Sequence, residues 1–405
     1  MHRPYREAFN AAFSSSLWRR QTDLLEGRIG ARASYRLAET PVFLSPLVAE
    51  RLVTAAREIA LLLDNPATIA AMRGAVPPEW DVPGMDSYPS FLQVDFALVD
   101  DGAGSLEPKL IELQGFPSLS AFEVFQVEAW SEVLQGVPGL PKGPWSGFFS
   151  GLDRNSYVGL FRRVVVADAD PENVVLLDLD PPKQKTFVDF EATRLLLGVD
   201  AVDPRALKLE GRKLFREKGG KRLPVERIYN RIVFDELIRT GARLPFRLTD
   251  PLDVTWTPHP NWYWTFSKAS LPYLDHPAVP KTRLLSEVDP LPADLAARYI
   301  LKPLFSFAGG GVNVDPTPAD VSRIPVKERS RWCLQEKIVY APFLPAVDGG
   351  SVKVEIRMMF YRPEGGAEPV LGLNLCRLSR GKMLGVDFNK DFTWVGSSVA
   401  IAPAG

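Results

Sequence analysis

The feature that most restricts the fold of this chain is an alternation of strand-like and helix-like segments between about residues 160 and 256. Two neighbouring strands can run parallel only if a long crossover, usually a helix, returns the chain, so this alternation predicts a small parallel sheet. The predicted strands are 163–167, 173–179, 199–202 and 225–230, and the predicted helices are 187–197, which Gly198 closes, and 234–240.

The regions on either side follow other patterns. Residues 1–85 are mostly helical in pattern, and Ser45-Pro46 opens one helix as its N-cap and first-turn proline. Residues 91–99 and 109–113 read as the two strands of a hairpin whose turn begins at Asp100-Asp101-Gly102. The other predictions are helices at 118–134 and 267–274 and strands at 298–303, 332–338, 352–361 and 370–378.

A chain of 405 residues is too long for one ordinary core, so we expect two or three subdomains of a mixed α/β and α+β class. We place a helical region with the antiparallel hairpin at residues 1–150 and the small parallel α/β unit at 151–258. Residues 259–405 form a third region of strands around a glycine-rich turn.

The chain carries 48 Lys and Arg residues against 49 Asp and Glu residues, for a formal net charge of -1. This balance disfavours a nucleic acid or a membrane surface as a partner held by bulk charge. No apolar stretch reaches the roughly 18 residues of a membrane helix, and residues 1–20 lack the apolar core of a signal peptide, so we expect a cytoplasmic protein.

The two cysteines, Cys333 and Cys376, each lie in an apolar, strand-like run. Neither has another cysteine or a histidine at the spacing of metal ligands, which disfavours a zinc site. The sequence therefore predicts two small buried thiols.

Lys302 precedes a glycine-rich loop that contains Gly309, Gly310 and Gly311. Consecutive glycines let backbone N–H groups converge on one concavity and bind phosphate oxygens, and the lysine adds a compact positive charge. A hairpin turn beside a surface lysine explains the same residues equally well.

Two further segments fit a nucleotide whose phosphates lie in this loop. Lys268, at the polar start of a predicted helix, is placed to reach an α-phosphate, although taken alone an exposed helix lysine is the better explanation. A strand that leaves the core can offer its backbone to an adenine edge, whereas charged residues on a strand also protect a sheet edge. The residues concerned are Gln335, Glu336, Lys337 and Ile338.

The predicted hairpin carries oxygen ligands for a cation. Asp95 lies in its first strand, and Glu112 and Gln114 lie two residues apart in the return strand, so the last two share a face. Carboxylates that are close together repel each other unless a cation lies between them, and oxygen ligands suit Mg²⁺. Exposed acids on a solvated sheet face are the alternative.

Glu355 and Arg357 share one face of the predicted strand 352–361, and Arg377 lies in the next strand. Two guanidinium groups can stabilise the charge of a transferring phosphoryl group, and Glu355 is a further candidate ligand for the metal. An exposed ladder of cross-strand ion pairs explains the three residues as well.

Arg231 lies where a predicted strand of the parallel sheet meets a helix. In open α/β sheets ligands bind at the carboxyl ends of the strands, so Arg231 is a candidate contact for an anionic substrate. An ion pair with Asp235 at the start of the helix is about as good an explanation.

Taken together, the order of these segments resembles a circularly permuted ATP-grasp enzyme, as in glutathionylspermidine synthase and eukaryotic glutathione synthetase. Ordinary ATP-grasp chains place the lysine and glycine-loop segments before an acidic D…E-x-N hairpin. Here Asp95, Glu112 and Gln114 precede Lys268 and Lys302. The resemblance covers about residues 90–400 in segment order and rests on short motifs.

The resemblance implies that Lys268 and Lys302 hold ATP phosphates, that the triple glycine covers them, and that residues 336–338 contact adenine. It also implies that Asp95 and Glu112 hold Mg²⁺. Gln114 stands where the family usually has asparagine, and Gln93 stands where the synthase has an arginine.

The expected function is that of an ATP- and Mg²⁺-dependent ligase, which joins a carboxylate to an amine or thiol through an acyl phosphate. Its expected partners are small-molecule or peptide acids and amines, whose identity the sequence leaves open together with the oligomeric state. An ATP-binding sensor or scaffold without ligase activity is the main alternative, which Gln93 and Gln114 favour. An ATP-grasp phosphotransferase is the third hypothesis, and only family analogy disfavours it.

Overall fold

The computed structural model of the chain describes residues 1–305, 310–366, 368–381, 389 and 391–404. Its α-helices are α1 (Arg3–Ala12), α2 (Ser15–Ile29), α3 (Pro46–Leu63), α4 (Pro66–Arg73), α5 (Phe122–Leu134), α6 (Arg154–Val165), α7 (Phe187–Leu197), α8 (Phe234–Thr240), α9 (Trp262–Thr265), α10 (Leu295–Arg298) and α11 (Pro318–Ser322). Short 3₁₀ helices join some of these elements, among them Lys268–Tyr273.

The strands fall into several sheets, which confirms the mixed α/β class. They are β1 (Phe91–Asp100), β2 (Leu106–Gln114), β3 (Trp145–Ser146), β4 (Val174–Leu177), β5 (Asp200–Val202), β6 (Lys208–Glu210), β7 (Lys213–Lys218), β8 (Lys221–Val225), β9 (Arg227–Asn230), β10 (Thr255–Thr257), β11 (Thr282–Leu284), β12 (Tyr299–Pro303), β13 (Trp332–Glu336), β14 (Leu344–Pro345), β15 (Ser351–Tyr361), β16 (Val370–Ser379), β17 (Gly396–Ser398) and β18 (Ala402–Pro403).

The central sheet is antiparallel, with the strand order β17-β16-β15-β1-β2, and β14 adds to β15. Its β1–β2 pair is the predicted hairpin. Residues 36–42 extend the sheet beyond β17, because Ala38 N donates to Ser397 O at 2.8 Å and Val42 N donates to Val399 O at 3.0 Å. Segments from both ends of the chain therefore build one sheet.

Helix α3 packs against β1, β2 and β15 of this sheet. The predicted start of the helix is confirmed: Ser45 Oγ accepts a hydrogen bond from Val48 N at 3.4 Å, and Pro46 occupies the first turn. Leu52 and Ile59 belong to the buried stripe of α3, as the helical spacing of its apolar residues requires.

The predicted parallel sheet is present, with the strand order β10-β9-β4-β5. Its strands β4, β5 and β9 and its helices α7 and α8 match the predicted segments within a few residues, whereas β10 was not predicted. Gly198, with a φ of 75° in the left-handed region, ends α7. Because β4 and β9 are neighbours in register, Leu177 and Asn230 end at the same edge of the sheet.

The predicted strand at 163–167 is wrong, because α6 continues through Val165. Asp153 and Ser156 form a capping box that starts the helix. Leu160 and Val164 then lie in its buried stripe, so packing overrides the strand preference of the valines.

The predicted strands in the last third of the chain are confirmed within a few residues as β12, β13, β15 and β16. Two of them, β12 and β13, form an antiparallel sheet with β11, which was not predicted, in the order β11-β13-β12. Leu301 and Leu334 lie in its hydrophobic cluster. The antiparallel sheet β6-β7-β8 was not predicted, because charged residues dominate its strands. Ion pairs such as Lys208–Glu217 cover its exposed side, and only a few apolar residues, among them Leu214 and Val225, are buried.

Cys333 and Cys376 are buried free thiols, as predicted. In the part of the chain that the structure describes, no helix has both the length and the apolar character needed to cross a membrane.

Candidate functional site

One face of the central sheet carries a row of charged side chains. Asp95 of β1 lies opposite Glu112 of β2 on one side and Arg357 of β15 on the other. Glu355 of β15 lies opposite Arg377 of β16. Because alternate residues of a strand point to the same face, these five side chains converge on one surface.

Asp95 is fully buried and holds two arginines. Arg357 donates from Nε to Oδ1 at 2.6 Å and from Nη2 to Oδ2 at 2.7 Å, and Arg377 Nη2 donates to Oδ2 at 2.5 Å. Both carboxylate oxygens of Asp95 are therefore occupied. In this arrangement Asp95 orients the guanidinium groups, and its predicted role as a metal ligand does not fit.

Glu355 is also buried and engaged. Its Oε1 contacts Arg377 Nη2, and its Oε2 accepts a hydrogen bond from Tyr340 OH at 2.8 Å. Burial raises the pKa of Glu355, and the nearby Asp95 carboxylate raises it further against the opposing effect of Arg377. These contacts occupy the oxygens that the predicted metal role of Glu355 would use. The ladder of ion pairs is real, but it is buried rather than exposed.

Arg377 is the more accessible of the two guanidinium groups. Its side chain is 37% exposed, against 6% for Arg357. Partial loss of hydration lowers the pKa of Arg377, but the carboxylates of Glu355 and Asp95 outweigh this effect and raise it. Arg377 is therefore a fixed positive charge that a ligand can reach, while Arg357 is locked against Asp95.

Glu112 differs from the other two carboxylates because its partners are weaker donors. Lys268 Nζ lies 3.3 Å from Oε2, and Gln114 Nε2 donates to Oε1 at 2.6 Å. Burial alone raises the pKa of Glu112, but Lys268, Arg377 and further cations outweigh it and bring the pKa down to about 2. Glu112 is thus a carboxylate anion at neutral pH.

Both predicted lysines lie near this carboxylate although they come from a separate part of the chain: Lys268 pairs with it, and Lys302 lies close enough to affect its pKa. Lys268 and Lys302 are both buried, so the explanation of either as a surface lysine is wrong. Lys302 Nζ donates to Gln335 Oε1 at 2.5 Å and to Ile111 O, one residue before Glu112, at 3.5 Å. Burial lowers the pKa of Lys302.

The glycine-rich segment begins seven residues after Lys302. Leu301 and Asn313 exchange backbone hydrogen bonds of 3.0 and 2.9 Å, so the chain turns back on β12. Gly311 has a φ of 71°, in the left-handed region that favours glycine. Gly310 and Gly311 thus form the return of this turn, whereas Gly309 lies outside the described residues.

The predicted adenine-contacting segment begins in the last two residues of β13 and continues beyond the strand. Glu336 N donates to Lys281 O at 2.9 Å and Lys337 N donates to Arg298 O at 2.7 Å, so the protein itself uses these two amides. Gln335 points its side chain to Lys302. Adenine could therefore contact the backbone of this segment only through its carbonyl groups or through Ile338, which lies beyond the strand.

Arg231 lies at the carboxyl edge of the parallel sheet, but it is not paired with Asp235. Its Nη1 donates to Asp189 Oδ2 at 2.6 Å, and both side chains are buried. Asp189 also accepts the backbone N–H groups of residues 119, 121 and 122 at 3.0–3.1 Å. This pair joins β9 to α7 and to the start of α5, so Arg231 has a structural partner in place of an open anion site.

Asp178 lies at the same edge, directly after β4, and is buried. Burial raises the pKa of Asp178 to about 8, although Arg231 opposes the shift. Phe116, two residues beyond Gln114, has its ring 5.8 Å from the guanidinium carbon of Arg231. The edge of the parallel sheet and the charged face of the central sheet therefore lie close to each other.

Sequence reasoning missed Asp178, Asp189 and Tyr340. Only Asp178 had a usable signal, because it follows a predicted strand at the edge where Arg231 also lies. Asp189 sits inside a helix and Tyr340 in an irregular segment, so neither position identifies its partner.

No protein-family model and no curated protein sequence matches this chain. Solved structures do match it, among them a glutathione synthetase-like effector, GSS30, from Globodera pallida in its apo form. That structure aligns with a TM-score of 0.55 at 12% identity, over 90% of this chain and 94% of the effector chain. The chain therefore has a glutathione synthetase-like fold. The likeness does not extend to activity, and the permuted ATP-grasp arrangement stays a prediction.

Proposed function

We propose that this protein is an ATP-dependent ligase that activates a carboxylate as an acyl phosphate and joins it to an amine or thiol. The observation that carries the proposal is that Lys268 pairs with Glu112 while Lys302 bonds to the carbonyl group of the neighbouring Ile111. A permuted ATP-grasp core would place these segments together in this way. The glutathione synthetase-like fold is consistent with the same reaction class.

In this proposal Lys268 and Lys302 bind the phosphates of ATP, and the glycine turn at Gly310 and Gly311 covers them. Two buried ammonium groups close to one carboxylate leave positive charge for a polyanion. The segment from Gln335 to Ile338 borders the adenine. These roles follow the resemblance and the convergence of the side chains.

Mg²⁺ fits this site through few protein ligands. Among the described residues no group of three or more carboxylates, imidazoles or thiols lies close enough to hold a metal. Glu112 would supply one anionic carboxylate. The side-chain nitrogen of Gln114 donates to Glu112, which leaves the amide oxygen of Gln114 as a second ligand. Mg²⁺ is commonly bound by one or two carboxylates with phosphate oxygens and water, so these residues suffice. The ion would neutralise charge on the transferring phosphate.

The proposed reaction has two steps. A substrate carboxylate oxygen bonds to the γ-phosphorus as the bond to ADP breaks, and ADP leaves. The amine or thiol then attacks the acyl carbon, phosphate leaves with the electron pair of the C–O bond, and the nucleophile gives up its proton to the departing phosphate. Arg377, oriented by Asp95 and Glu355, stabilises the phosphoryl charge in the first step.

An ATP-binding protein without ligase activity is the second candidate. It is favoured by Gln93, which stands where the synthase has an arginine and donates from Nε2 to Ser118 O at 3.3 Å. A neutral amide that is tied to the backbone cannot stabilise a developing negative charge as a guanidinium does.

Turnover of ATP tests the proposal. We expect ADP release, in a coupled assay with Mg²⁺, only when pools of carboxylic acids or peptides and pools of amines or thiols are both present. ATP binding without turnover in any pool would favour the second candidate. Turnover that transfers phosphate to one substrate without a second would indicate a phosphotransferase.

A lysine variant tests the site itself. Lys302→Gln should weaken ATP binding by roughly ten- to a hundredfold, since a hydrogen bond to a charged group contributes about 1.5–3 kcal/mol. Isothermal titration calorimetry measures the affinity. The exposed Lys327 provides the control, and Lys327→Gln should bind ATP like the wild type. Equal affinity of the two variants would remove Lys302 from the site.

A further inference from the structure

A groove on the outer side of α3 is separate from the site described above. Its volume is about 1060 Å³, and one wall is the solvent-facing side of α3. The other wall consists of residues 107–109 of β2 and of residues 275–278. None of the proposed ATP, metal or substrate residues described by the structure lines it.

The groove has apolar side chains at both ends of its helical wall. Leu47, Leu61 and Leu62 are 49, 58 and 40% exposed, although the opposite side of α3 lies in the core. Leu47 and Leu61 are separated by about four turns, or roughly 21 Å at 1.5 Å per residue. Exposed apolar residues that line one groove mark an interaction surface more often than scattered ones do.

The charge of the groove is negative. Its acids are Glu50, Glu58, Glu107 and Asp275, and its bases are Arg51, Lys109 and His276. The bases are all engaged: Arg51 with Asp101 at 3.0 Å, Lys109 with Glu107 at 3.1 Å and His276 with Glu58 at 2.9 Å.

Two acidic side chains of the groove are not engaged by its bases. In the described parts of the chain, neither Glu50 nor Asp275 has an ion-pair or side-chain hydrogen-bond partner. One belongs to each wall, so both can face a ligand that lies in the groove. A partner with positive charge between apolar anchors complements this pattern.

The exposed edge of β2 excludes an added strand. Arg51 Nη1 donates to Leu106 O at 2.9 Å, and Leu110 N donates to Ala278 O at 2.7 Å. Between these two positions lies Pro108, which has no N–H group. A ligand must therefore dock through side chains, which favours a helix over an extended peptide.

A second copy of this chain is a poor occupant. Two such grooves facing each other would bring Glu50 and Asp275 of both copies together, and like charges across an interface are unfavourable.

We propose that this groove binds a basic amphipathic α-helix of about four turns from a partner protein. Its apolar residues contact the leucines at the two ends, and its lysines or arginines pair with Glu50 and Asp275. The surface is independent of the proposed ligase activity.

Two labelled peptides of about 18 residues test this proposal. Both carry leucines spaced as Leu47 and Leu61 are, on an alanine background, with several lysines in one peptide and glutamates in the other. Fluorescence anisotropy should show the lysine peptide binding at least about tenfold more tightly to the wild-type protein. The double variant Glu50→Lys, Asp275→Lys should reverse this preference, and Leu61→Ser should weaken binding of the lysine peptide about tenfold.

The exposed Lys327 on another surface again gives the control, and Lys327→Glu should leave both affinities unchanged. Thermal melts establish that each variant is folded. Failure of the lysine peptide to bind, equal binding of both peptides, or binding that survives all the groove substitutions would overturn the proposal. So would a dimer of the wild-type protein, in light scattering, that Leu61→Ser dissociates, because the groove would then be covered by a second copy.

Discussion

Asp95 and Glu112 are opposite each other on neighbouring strands, and both are carboxylates, but their surroundings differ. Asp95 accepts three hydrogen bonds from Arg357 and Arg377. Glu112 is held by one ammonium group and one neutral amide. A bidentate guanidinium satisfies a carboxylate more completely than a lysine does, so Glu112 is the carboxylate that stays available to a cation.

The lowered pKa of Glu112 makes a prediction about stability and pH. Its ordinary value is 4.5 and its value in the folded protein is about 2, so the folded state binds this proton less readily than the unfolded state. The resulting stabilisation, about 3 kcal/mol, is present above about pH 4.5 and is lost as the pH falls towards 2.

Urea denaturation of the wild type and Glu112→Gln at several pH values measures this effect. The variant should be less stable at pH 7, and the difference should shrink as the pH falls from about 5 to about 2. Glu107→Gln, in the same strand but exposed, should show no such difference. A constant gap for Glu112→Gln at all pH values would contradict the assignment.

At the scale of the elements, one carboxylate connects three of them. Asp189 of α7 accepts the backbone N–H groups that precede and begin α5, and it pairs with Arg231 at the end of β9. Unpaired N–H groups at a helix start need acceptors when they are buried. The Arg231–Asp189 pair therefore fixes the parallel sheet against the helix that follows the hairpin.

Asp189→Asn keeps the shape of this side chain and removes its charge. We expect it to lower the free energy of unfolding by about 3–5 kcal/mol, because Arg231 is left buried without a counter-charge. Urea denaturation measures the loss. Glu191→Gln, which removes the charge of a more exposed i,i+3 pair on the same helix, should cost less than about 1 kcal/mol. Similar losses for both variants would leave Arg231 available as a substrate contact.

At the scale of the whole molecule, the proposed ATP site depends on segments far apart in sequence. β2 contributes Glu112 and Gln114, and the region from residue 268 to residue 302 contributes both lysines. These two regions are far apart in sequence and meet only in the folded protein. A ligand that binds both regions should therefore stabilise both at once.

Hydrogen exchange with and without Mg-ATP tests this coupling. Bound ligand stabilises the folded state by RT ln(1 + [L]/Kd), about 2.7 kcal/mol at a hundredfold excess over Kd. Backbone amides of Leu106–Gln114 and of Tyr299–Pro303 should therefore both exchange more slowly. The distant Lys213–Lys218 strand serves as the reference. Protection of only one of the two segments would contradict a shared site.

Most elements were predictable because their patterns are local. The hairpin, the alternation of strands and helices, and the cap at Ser45 each depend on residues close in sequence. The errors occurred where packing or exposure overrides the pattern: the valines that end α6, and the charged sheet β6-β7-β8. In the site, the residue types were predictable and their partners were not.

The sequence by itself determined which chemical groups this protein has and on which strand, turn or helix most of them lie. Only the tertiary structure decided that Asp95 holds two arginines, that Arg231 pairs with Asp189, and that Lys268 pairs with Glu112 while Lys302 lies beside it. Local structure follows from neighbours along the chain, whereas the charge state and availability of a side chain follow from neighbours in space.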